Sequence, residues 1–359
     1  MCPGVGACAR RRRALGRPAF GAGVRVGYIG WTSVQALENH RPWMSNGCAC
    51  LQRLCLTPTP TEPRARDCDT TQKCGTVASV SVAIVTCREL PEEDVDEDLL
   101  IAALDAAGLQ PTLAAWDDVT VDWSQFRLAV LRSAWNYIDH LDEFLAWAVH
   151  AGTATNLFNP VEVVHWNTHK GYLRHLAKQG VPVVPTAWLG VGEELDLADL
   201  MADRGWHDVV AKPVVGAGSF LTDRITDPQT PAAKDFWRRL CENREVMVQP
   251  YMRSVEDYGE RSLIWIDGQL THAIRKSPRL GDADEQVSDA LPIADVEREL
   301  AQTVMADIPH ELLYARIDLI RDDDDQPMVA ELELVEPSLF LKQSLSALDR
   351  LVAGIASRM

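Results

Sequence analysis

The chain has 359 residues, of which 47% are hydrophobic, so it can bury more than one sizeable core. No apolar run approaches the roughly 20 residues that a membrane-spanning helix needs, so we expect no membrane partner. The formal net charge of −17 excludes a general nucleic-acid-binding function, because basic surface supplies most of the affinity for nucleic acid.

The first 76 residues differ from the rest: they are net basic, hold most of the nine cysteines and lack helical or strand periodicity. A zinc site would explain the cysteines, but the C-x₂-C pairs typical of structural zinc are missing. An export or organellar signal would explain the arginines, but an apolar core with a cleavage site is missing. We therefore expect residues 1–76 to be disordered or a mis-assigned extension, with translation beginning near Val77. The two other cysteines, Cys87 and Cys241, indicate a reduced, cytoplasmic protein.

The next stretch alternates strand and helix patterns. A β-branched run at 80–86 predicts a buried parallel strand, and helical spacing follows over 96–107. Further strands are predicted near 112–115 and 128–131, and a helix over 141–149. This order predicts a small doubly wound domain over 77–164, in which ligands bind where the strands end. We interpret the polar residues that follow predicted strands as substrate-binding: Arg88, Arg132, Ser133 and Asn136. The alternative for this edge is that Trp135 and Tyr137 merely pack under a loop.

The rest of the chain has a different order of elements. A helix is predicted to begin near Asn167, with Lys170 in its first turn, where a cation is unfavourable unless an anion binds beside it. The pattern then predicts strands at 183–189, 209–212 and 246–250, with a helix at 235–241 between the last two. An Asp-Gly hairpin at 261–275 and a second helix at 294–305 follow.

Two distant stretches look like two halves of one nucleotide site. The strand at 209–212 delivers Lys212 into a run of small residues, 214–219, whose glycines would let backbone N–H groups approach phosphate oxygens. The acids Asp318, Glu331 and Glu333 lie on two later strands and suit Mg²⁺, which takes oxygen ligands and shares them with phosphates. Alternatively, the lysine lies on the surface and the acids form the solvated face of an amphipathic strand. The acids at 322–325 are interpreted as an exposed hairpin turn.

Taken in order, these motifs resemble the ATP-grasp ligases over residues 80 to 359. The resemblance implies an α/β protein in which an α+β ATP-grasp domain, 165–359, follows the doubly wound domain and carries a mobile lid at 182–249. It implies phosphate contacts from two lysines and a loop, and adenine contacts from a linker that contains Gln249 and Tyr251. A ribose contact is implied from Asp257 or the neighbouring Glu256. The implied nucleotide-binding residues are Lys170, Lys212, Gly216, Gly218, Ser219, Gln249, Tyr251 and Asp257.

The same resemblance assigns Mg²⁺, with Mn²⁺ as an alternative ion, to Asp318, Glu331 and Glu333, although the family has an asparagine where Glu333 stands. Arg275 is interpreted as a clamp on the transferred phosphoryl group, because its planar guanidinium matches phosphate, and Lys276 as its assistant. A solvated strand end is the alternative for this pair.

Within the family, four segments are similar to the D-cycloserine-forming O-ureido-D-serine cyclo-ligase and its relatives: 131–137, 166–170, 259–262 and 333–340. This likeness implies activation of a small amino-acid-like carboxylate as an acyl phosphate and its capture by nitrogen, with ring closure as in antibiotic biosynthesis. A peptide-forming carboxylate–amine ligase and a non-catalytic ATP-binding protein are the alternatives. The sequence leaves the oligomeric state open, a homo-oligomer included.

Overall fold

The computed structural model describes residues 81–277 and 286–359, and the predictions made for residues 1–76 lie outside these ranges. All described residues belong to one compact unit, Lys73–Met359. Within them, the named strands form three sheets of four strands each. None of the described helices is both long and apolar enough to cross a bilayer.

The first sheet is parallel and has the predicted alternation of strands and helices. Its strands run in the order β2-β1-β3-β4, and the β-branched β1 is buried along its whole length. Helix α1 ends just before Gly108, whose φ of +75° suits a glycine at this position. The elements are β1 (Val82–Thr86), α1 (Glu97–Ala106), β2 (Pro111–Ala115), β3 (Leu128–Ser133), α2 (Leu141–Ala154) and β4 (Asn156–Phe158).

Two short helices follow, α3 (Val161–Asn167) and α4 (Tyr172–Lys178). The prediction that a helix begins near Asn167 with Lys170 in its first turn was wrong, because Lys170 lies in the break between the two helices. The backbone N–H of Lys170 donates to Val214 O at 3.0 Å, a partner far along the chain. This bond holds the break against the segment that contains the predicted glycine loop.

A second, antiparallel sheet occupies the segment predicted to form the lid. Its order is β5-β8-β6-β7, and it has its own hydrophobic core with two helices. The strand predicted at 183–189 is shorter than expected, since Val183 makes only an isolated bridge with Val329. The elements are β5 (Ala187–Leu189), α5 (Leu197–Arg204), β6 (Val209–Pro213), β7 (Asp223–Ile225), α6 (Pro231–Cys241) and β8 (Val246–Pro250).

The third sheet is also antiparallel, has the order β10-β9-β11-β12 and contains the two acidic strands. The predicted hairpin turn is confirmed: Asp267 and Gly268 both have positive φ, as a two-residue turn of this kind requires. The predicted domain boundaries at 76, 164, 182 and 249 stay predictions. The elements are α7 (Ser254–Asp257), β9 (Glu260–Ile266), β10 (Gln269–Lys276), α8 (Asp295–Ala306), β11 (Tyr314–Arg321), β12 (Pro327–Glu333) and α9 (Leu345–Ser357).

Candidate active site

The lysine of the glycine-containing segment meets an acid of the third sheet. Lys212, on β6, places Nζ 2.5 Å from Oε1 of Glu331 on β12. Lys170 places Nζ 3.2 Å from the other carboxylate oxygen and donates to Gly216 O at 3.0 Å. Glu331 therefore holds two lysines that come from different parts of the chain, and one of them also contacts the glycine loop.

The strand register places the predicted acids on one face of the third sheet. Asp318 lies opposite Glu331 in the β11–β12 pair, and Arg316 lies opposite Glu333. Directly paired residues of an antiparallel sheet project to the same side, and so do residues two apart on one strand. The four side chains therefore share a face, on which Arg316 is an additional cation.

Arg316 was not assigned a role from the sequence. Its guanidinium donates to Asp318 through Nε at 3.0 Å and through Nη2 at 2.9 Å, and it also contacts the Glu333 carboxylate. The arginine is 7% exposed, so these pairs are largely shielded from water. Its spacing of two residues from Asp318 in the predicted strand was the signal that could have identified it.

Lys276 completes this group of charges. Its Nζ lies 2.5 Å from Oε1 of Glu260 and 3.3 Å from Oδ2 of Asp318. Glu260, which the sequence analysis included in the similar segment 259–262 but gave no role, is thus a further carboxylate of the cluster. We refer to the whole set as the charge cluster, which consists of Glu260, Asp318, Glu331, Glu333, Lys170, Lys212, Lys276 and Arg316.

The structure does not bring Arg275 into the charge cluster, which corrects the prediction that it works beside Lys276. In the β9–β10 hairpin Lys276 pairs with Glu260, whereas Arg275 pairs with Arg261 and faces the opposite side. Arg275 is exposed, and its guanidinium lies 5.0 Å from the ring centre of Tyr258. Adjacent residues on a strand point to opposite faces, so the two cannot serve the same site from this strand.

Electrostatic coupling in the cluster shifts several pKa values. Burial disfavours the charged form of Glu331, but the ammonium groups of Lys170 and Lys212 outweigh it and hold its pKa well below the usual range. Burial raises the pKa of Glu333, and Asp318 and Glu331 act in the same direction, whereas Arg316 and Lys276 act against it. The pKa of Lys276 is raised despite its burial and the nearby Arg316, because several carboxylates surround it. The carboxylates of the cluster therefore favour the charged form of Lys276.

The acids of the cluster suit a hard cation that is shared with phosphate. Among the described residues, no three acidic, histidine or cysteine side chains converge as a ready metal cage. Carboxylate oxygens from Asp318, Glu331 and Glu333 nevertheless lie on one sheet face, and Mg²⁺ needs only one or two of them when phosphates and waters supply the rest. The residues present thus fit a magnesium ion that arrives with a nucleotide.

The glycine loop reaches from β6 towards the first sheet. Gly218 and Ser219 are exposed and both have positive φ, so the chain turns sharply there. Before the turn, Val215 packs against the hydrophobic cluster of the first sheet. The loop is therefore held beside both sheets that supply the other candidate residues.

The predicted adenine and ribose contacts lie around the end of β8. The Gln249 side chain is buried and donates to Thr186 at 3.0 Å. The ring of Tyr251 lies 3.6 Å from the guanidinium carbon of Arg224, which also pairs with Glu256 at 2.8 Å. Of the two acids considered for ribose, Glu256 thus has a charged partner. The other, Asp257, is exposed, as Glu256 is.

Three of the four predicted substrate residues gather at the carboxyl end of the first sheet. Asp117 accepts hydrogen bonds from the backbone N–H of Arg88 at 2.9 Å and from the Asn136 amide at 2.8 Å. Ser133 donates to Thr86 at 3.0 Å across β3 and β1. These contacts form a polar edge where a doubly wound domain is expected to bind its ligand.

The fourth, Arg132, is placed differently. Its side chain is 1% exposed, and its three nitrogens have no hydrogen-bond partner within the described residues. The nearest charge is Asp96, 3.8 Å away, whose two oxygens accept the backbone N–H groups of Leu339 and Leu341. Arg132 therefore lies beneath the polar edge, against the segment that follows the acidic strands.

Two buried asparagines fix the end of β12. Asn167 donates to Leu332 O at 2.9 Å and accepts from Leu334 N at 2.7 Å. Asn159 donates to Tyr314 O at 2.9 Å and to Leu334 O at 2.6 Å. The acids of β12 are consequently held on a strand whose end cannot shift without breaking buried hydrogen bonds.

Comparison with known proteins identifies relatives of the chain. The family model for the N-terminal domain of D-cycloserine synthetase DcsG matches residues 82–159. The cycloserine biosynthesis protein DcsG of Streptomyces lavendulae is 33% identical over 294 residues, which cover 77% of this chain and 98% of that protein.

Solved structures give the same result. The crystal structure of D-cycloserine synthetase DcsG matches with a TM-score of 0.70 and 33% identity, over 77% of this chain and 99% of that one. A RimK domain ATP-grasp protein from Sphaerobacter thermophilus matches with a TM-score of 0.56 and 19% identity, over 78% of this chain and 99% of that one. The more distant match supports the fold alone.

Proposed function

Since the chain belongs to the D-cycloserine synthetase family of ATP-grasp ligases, we propose that it activates a small amino-acid-like carboxylate as an acyl phosphate. ATP donates the phosphoryl group, and a nitrogen nucleophile of the substrate captures the acyl group. The observation that carries the proposal is the contact of Lys212 and Lys170 with the two oxygens of Glu331. This contact brings the two lysines, which are suited to bind a triphosphate, next to one of the acids that are suited to bind its metal ion.

Phosphoryl transfer depends on positioning and charge neutralisation more than on covalent chemistry by the protein. In this scheme Lys170 and Lys212 bind the phosphates of ATP, and backbone N–H groups of the glycine loop approach the same oxygens. Mg²⁺, bound through Asp318, Glu331 or Glu333, would neutralise charge that develops on the phosphates. Arg316 and Lys276, which lie on the same sheet face, orient the carboxylate and the transferred phosphoryl group.

We further propose that the nucleophile belongs to the same molecule as the carboxylate, so that the product is a ring. The alignment, at 33% identity, covers 98% of a cycloserine biosynthesis protein, which supports a related substrate. The polar edge formed by Arg88, Asn136 and Asp117 would bind the amino-acid end of this substrate. The bond between the carbonyl carbon and nitrogen forms as the carbon–oxygen bond to phosphate breaks, releasing phosphate.

The test is phosphate release from ATP and Mg²⁺ across a panel of amino acids and O-ureido-D-serine, with product analysis. Phosphate release with one amino acid and a cyclic product would support the full proposal. Release that needs a second amine would indicate a peptide-forming ligase instead. ATP binding without substrate-dependent release across the panel would contradict the proposed catalysis. The Lys212→Ala variant supplies the background rate.

A further inference from the structure

Glu336 is a buried carboxylic acid at the boundary between the acidic strands and the first sheet. It lies three residues beyond the end of β12 and is 9% exposed. Its backbone carbonyl accepts a hydrogen bond from Trp135 Nε1 at 3.0 Å, and the nearby Tyr137 hydroxyl acts on its carboxylate so as to lower the pKa of Glu336. Both residues belong to the turn that follows β3, next to the polar edge.

Arg316 holds the segment around Glu336 against the charge cluster. It contacts the Glu333 carboxylate before Glu336, and it donates to the Ser338 carbonyl after it at 3.4 Å. The Glu333 carboxylate, the Arg316 guanidinium and the Lys170 ammonium all act electrostatically on Glu336. Glu336 therefore lies between the groups proposed to handle phosphate and the edge proposed to bind the amino acid.

Glu336 differs from the four acids of the charge cluster in its partners. Each of those four forms an ion pair with a lysine or with Arg316. Within the described ranges, Glu336 forms no ion pair, and the neutral hydroxyl of Tyr137 is among the groups that act on its carboxylate. A buried carboxylate without a counter-ion can change its proton occupancy without disrupting an ion pair.

We propose that Glu336 is the general base that takes the proton from the nitrogen nucleophile during capture of the acyl phosphate. This inference rests on the function proposed above. As the carbon–nitrogen bond forms, the nitrogen loses its N–H proton to the Glu336 carboxylate, and the bond between the carbonyl carbon and the phosphate oxygen breaks. Phosphate leaves with the electron pair, and the Glu336 proton passes to solvent before the next turnover.

The groups that face Glu336 tune it for this role. Burial, together with the charge on Glu333, raises the pKa of Glu336 to about 7. The Tyr137 hydroxyl, Lys170 and Arg316 act in the opposite direction, and Glu336 in turn raises the pKa of the buried Tyr314 hydroxyl. A base works best when its pKa lies near the operating pH, because it is then both available and basic enough.

The experiment separates activation of the carboxylate from its capture in the Glu336→Gln variant of the full chain. O-ureido-D-serine, ATP and Mg²⁺ are incubated with excess hydroxylamine, which traps the acyl phosphate as a hydroxamate. Hydroxamate and ADP report activation, and cyclic product in the absence of hydroxylamine reports capture. We expect activation near the wild-type rate and capture about 10²-fold slower or more, the usual contribution of a general base.

Three results would overturn the assignment. Cyclic product within about threefold of the wild-type rate would show that no base is lost. Equal loss of hydroxamate and product would place Glu336 in activation or in folding. Failure of the wild-type chain to form hydroxamate would instead reject the proposed function, and the inference with it. Glu299→Gln, at an exposed position on α8, is the matched control and should leave both rates unchanged.

Tyr137→Phe gives a second test that does not remove the carboxyl group. The hydroxyl lowers the pKa of Glu336, so its loss should move the acid limb of the capture rate to higher pH while the maximal rate is retained. Tyr137 also stacks on Phe144 at 4.9 Å, and phenylalanine preserves that contact. An unchanged pH profile would count against Glu336 as the base.

Discussion

Lys212 and Glu331 are 119 residues apart in the chain, yet their side chains lie 2.5 Å apart. Lys212 belongs to the second sheet and Glu331 to the third, and these sheets share no strand. The contact between Lys212 and Glu331 therefore forms only when the two sheets pack together. Its presence indicates that the site is assembled. Glu331 remains paired with Lys170 when Lys212 is removed, which makes the two residues separable by mutation.

Lys212→Ala and Glu331→Ala should each lower turnover by about 10²–10³-fold or more, because Lys212 binds the phosphates in the proposed scheme and Glu331 positions both lysines and would help to hold Mg²⁺. Substrate-dependent phosphate release measures the effect, and circular dichroism measures whether the fold persists. Lys234→Ala, an exposed lysine on α6, serves as the control. Turnover near the wild-type level in either variant would remove that residue from the site.

Arg316→Met should destabilise the fold by about 3–5 kcal/mol, because it leaves the buried Asp318 without its bidentate partner. Arg316→Lys should keep more stability but still lose turnover, because an ammonium group cannot bind both Asp318 and Glu333 in the same fork geometry. Thermal unfolding and phosphate release are measured on both variants. Equal stability of the methionine variant and the wild type would contradict this account of the cluster.

Arg275→Ala should change turnover by less than about threefold, whereas Lys276→Ala should lower it by about 10²-fold or more. The two residues are adjacent, but only Lys276 faces Asp318. Steady-state kinetics with varied ATP distinguish them. A large loss of turnover in Arg275→Ala would support the role as a phosphoryl clamp that was predicted from the sequence. It would also require β10 to present its other face to the charge cluster.

Glu336→Gln should make the folded state more stable at pH 8 but not at pH 5. The pKa of Glu336 is about 7 in the folded chain and near 4.5 without burial, so folding favours the protonated acid. Its contribution to stability is full below about pH 4.5 and is lost as the pH rises through 7. Removing the group should recover about 3 kcal/mol at the higher pH. Denaturant titrations at both pH values measure it, and a pH-independent difference would exclude the shift.

Asp96→Ala should cost about 3–5 kcal/mol of stability, because it removes two backbone hydrogen bonds and leaves Arg132 buried without a neighbouring charge. Arg132→Met should cost less, since it removes no hydrogen bond and leaves Asp96 with the two backbone N–H groups that stabilise its charge. Denaturant unfolding of both single variants and the double variant gives the coupling. If Arg132→Met instead changed substrate dependence with stability intact, the sequence-based role of Arg132 in substrate binding would be favoured.

The features that the sequence predicted well are local or depend on one strand at a time. The Asp267–Gly268 hairpin follows from two residues that accept positive φ. The acids at 322–325 form the predicted turn, with Asp322 accepting the backbone N–H groups of Asp324 and Gln326. The convergence of Lys212 with Glu331 was expected from the order of the motifs and a family resemblance, since no spacing rule contains it.

The features that the sequence missed depend on register and on burial. The choice between Arg275 and Lys276 is decided by the pairing of β10 with β9, which only the folded hairpin establishes. Arg316 could have been found from its spacing to Asp318, but an arginine in a strand usually lies on the solvated face. Nothing in the sequence marks Glu336 as a buried acid, because the contact of its backbone carbonyl with Trp135 joins residues 201 positions apart in the chain.

Asn159 bonds to Tyr314 and Leu334, which follow it by 155 and 175 residues. Contacts of such long range form slowly, because a large loop must close before they give any stability. During synthesis Asn159 therefore cannot make these bonds until Leu334 has left the ribosome. The acidic strands cannot acquire their final position before that point, so nascent chains should become competent for catalysis only after it.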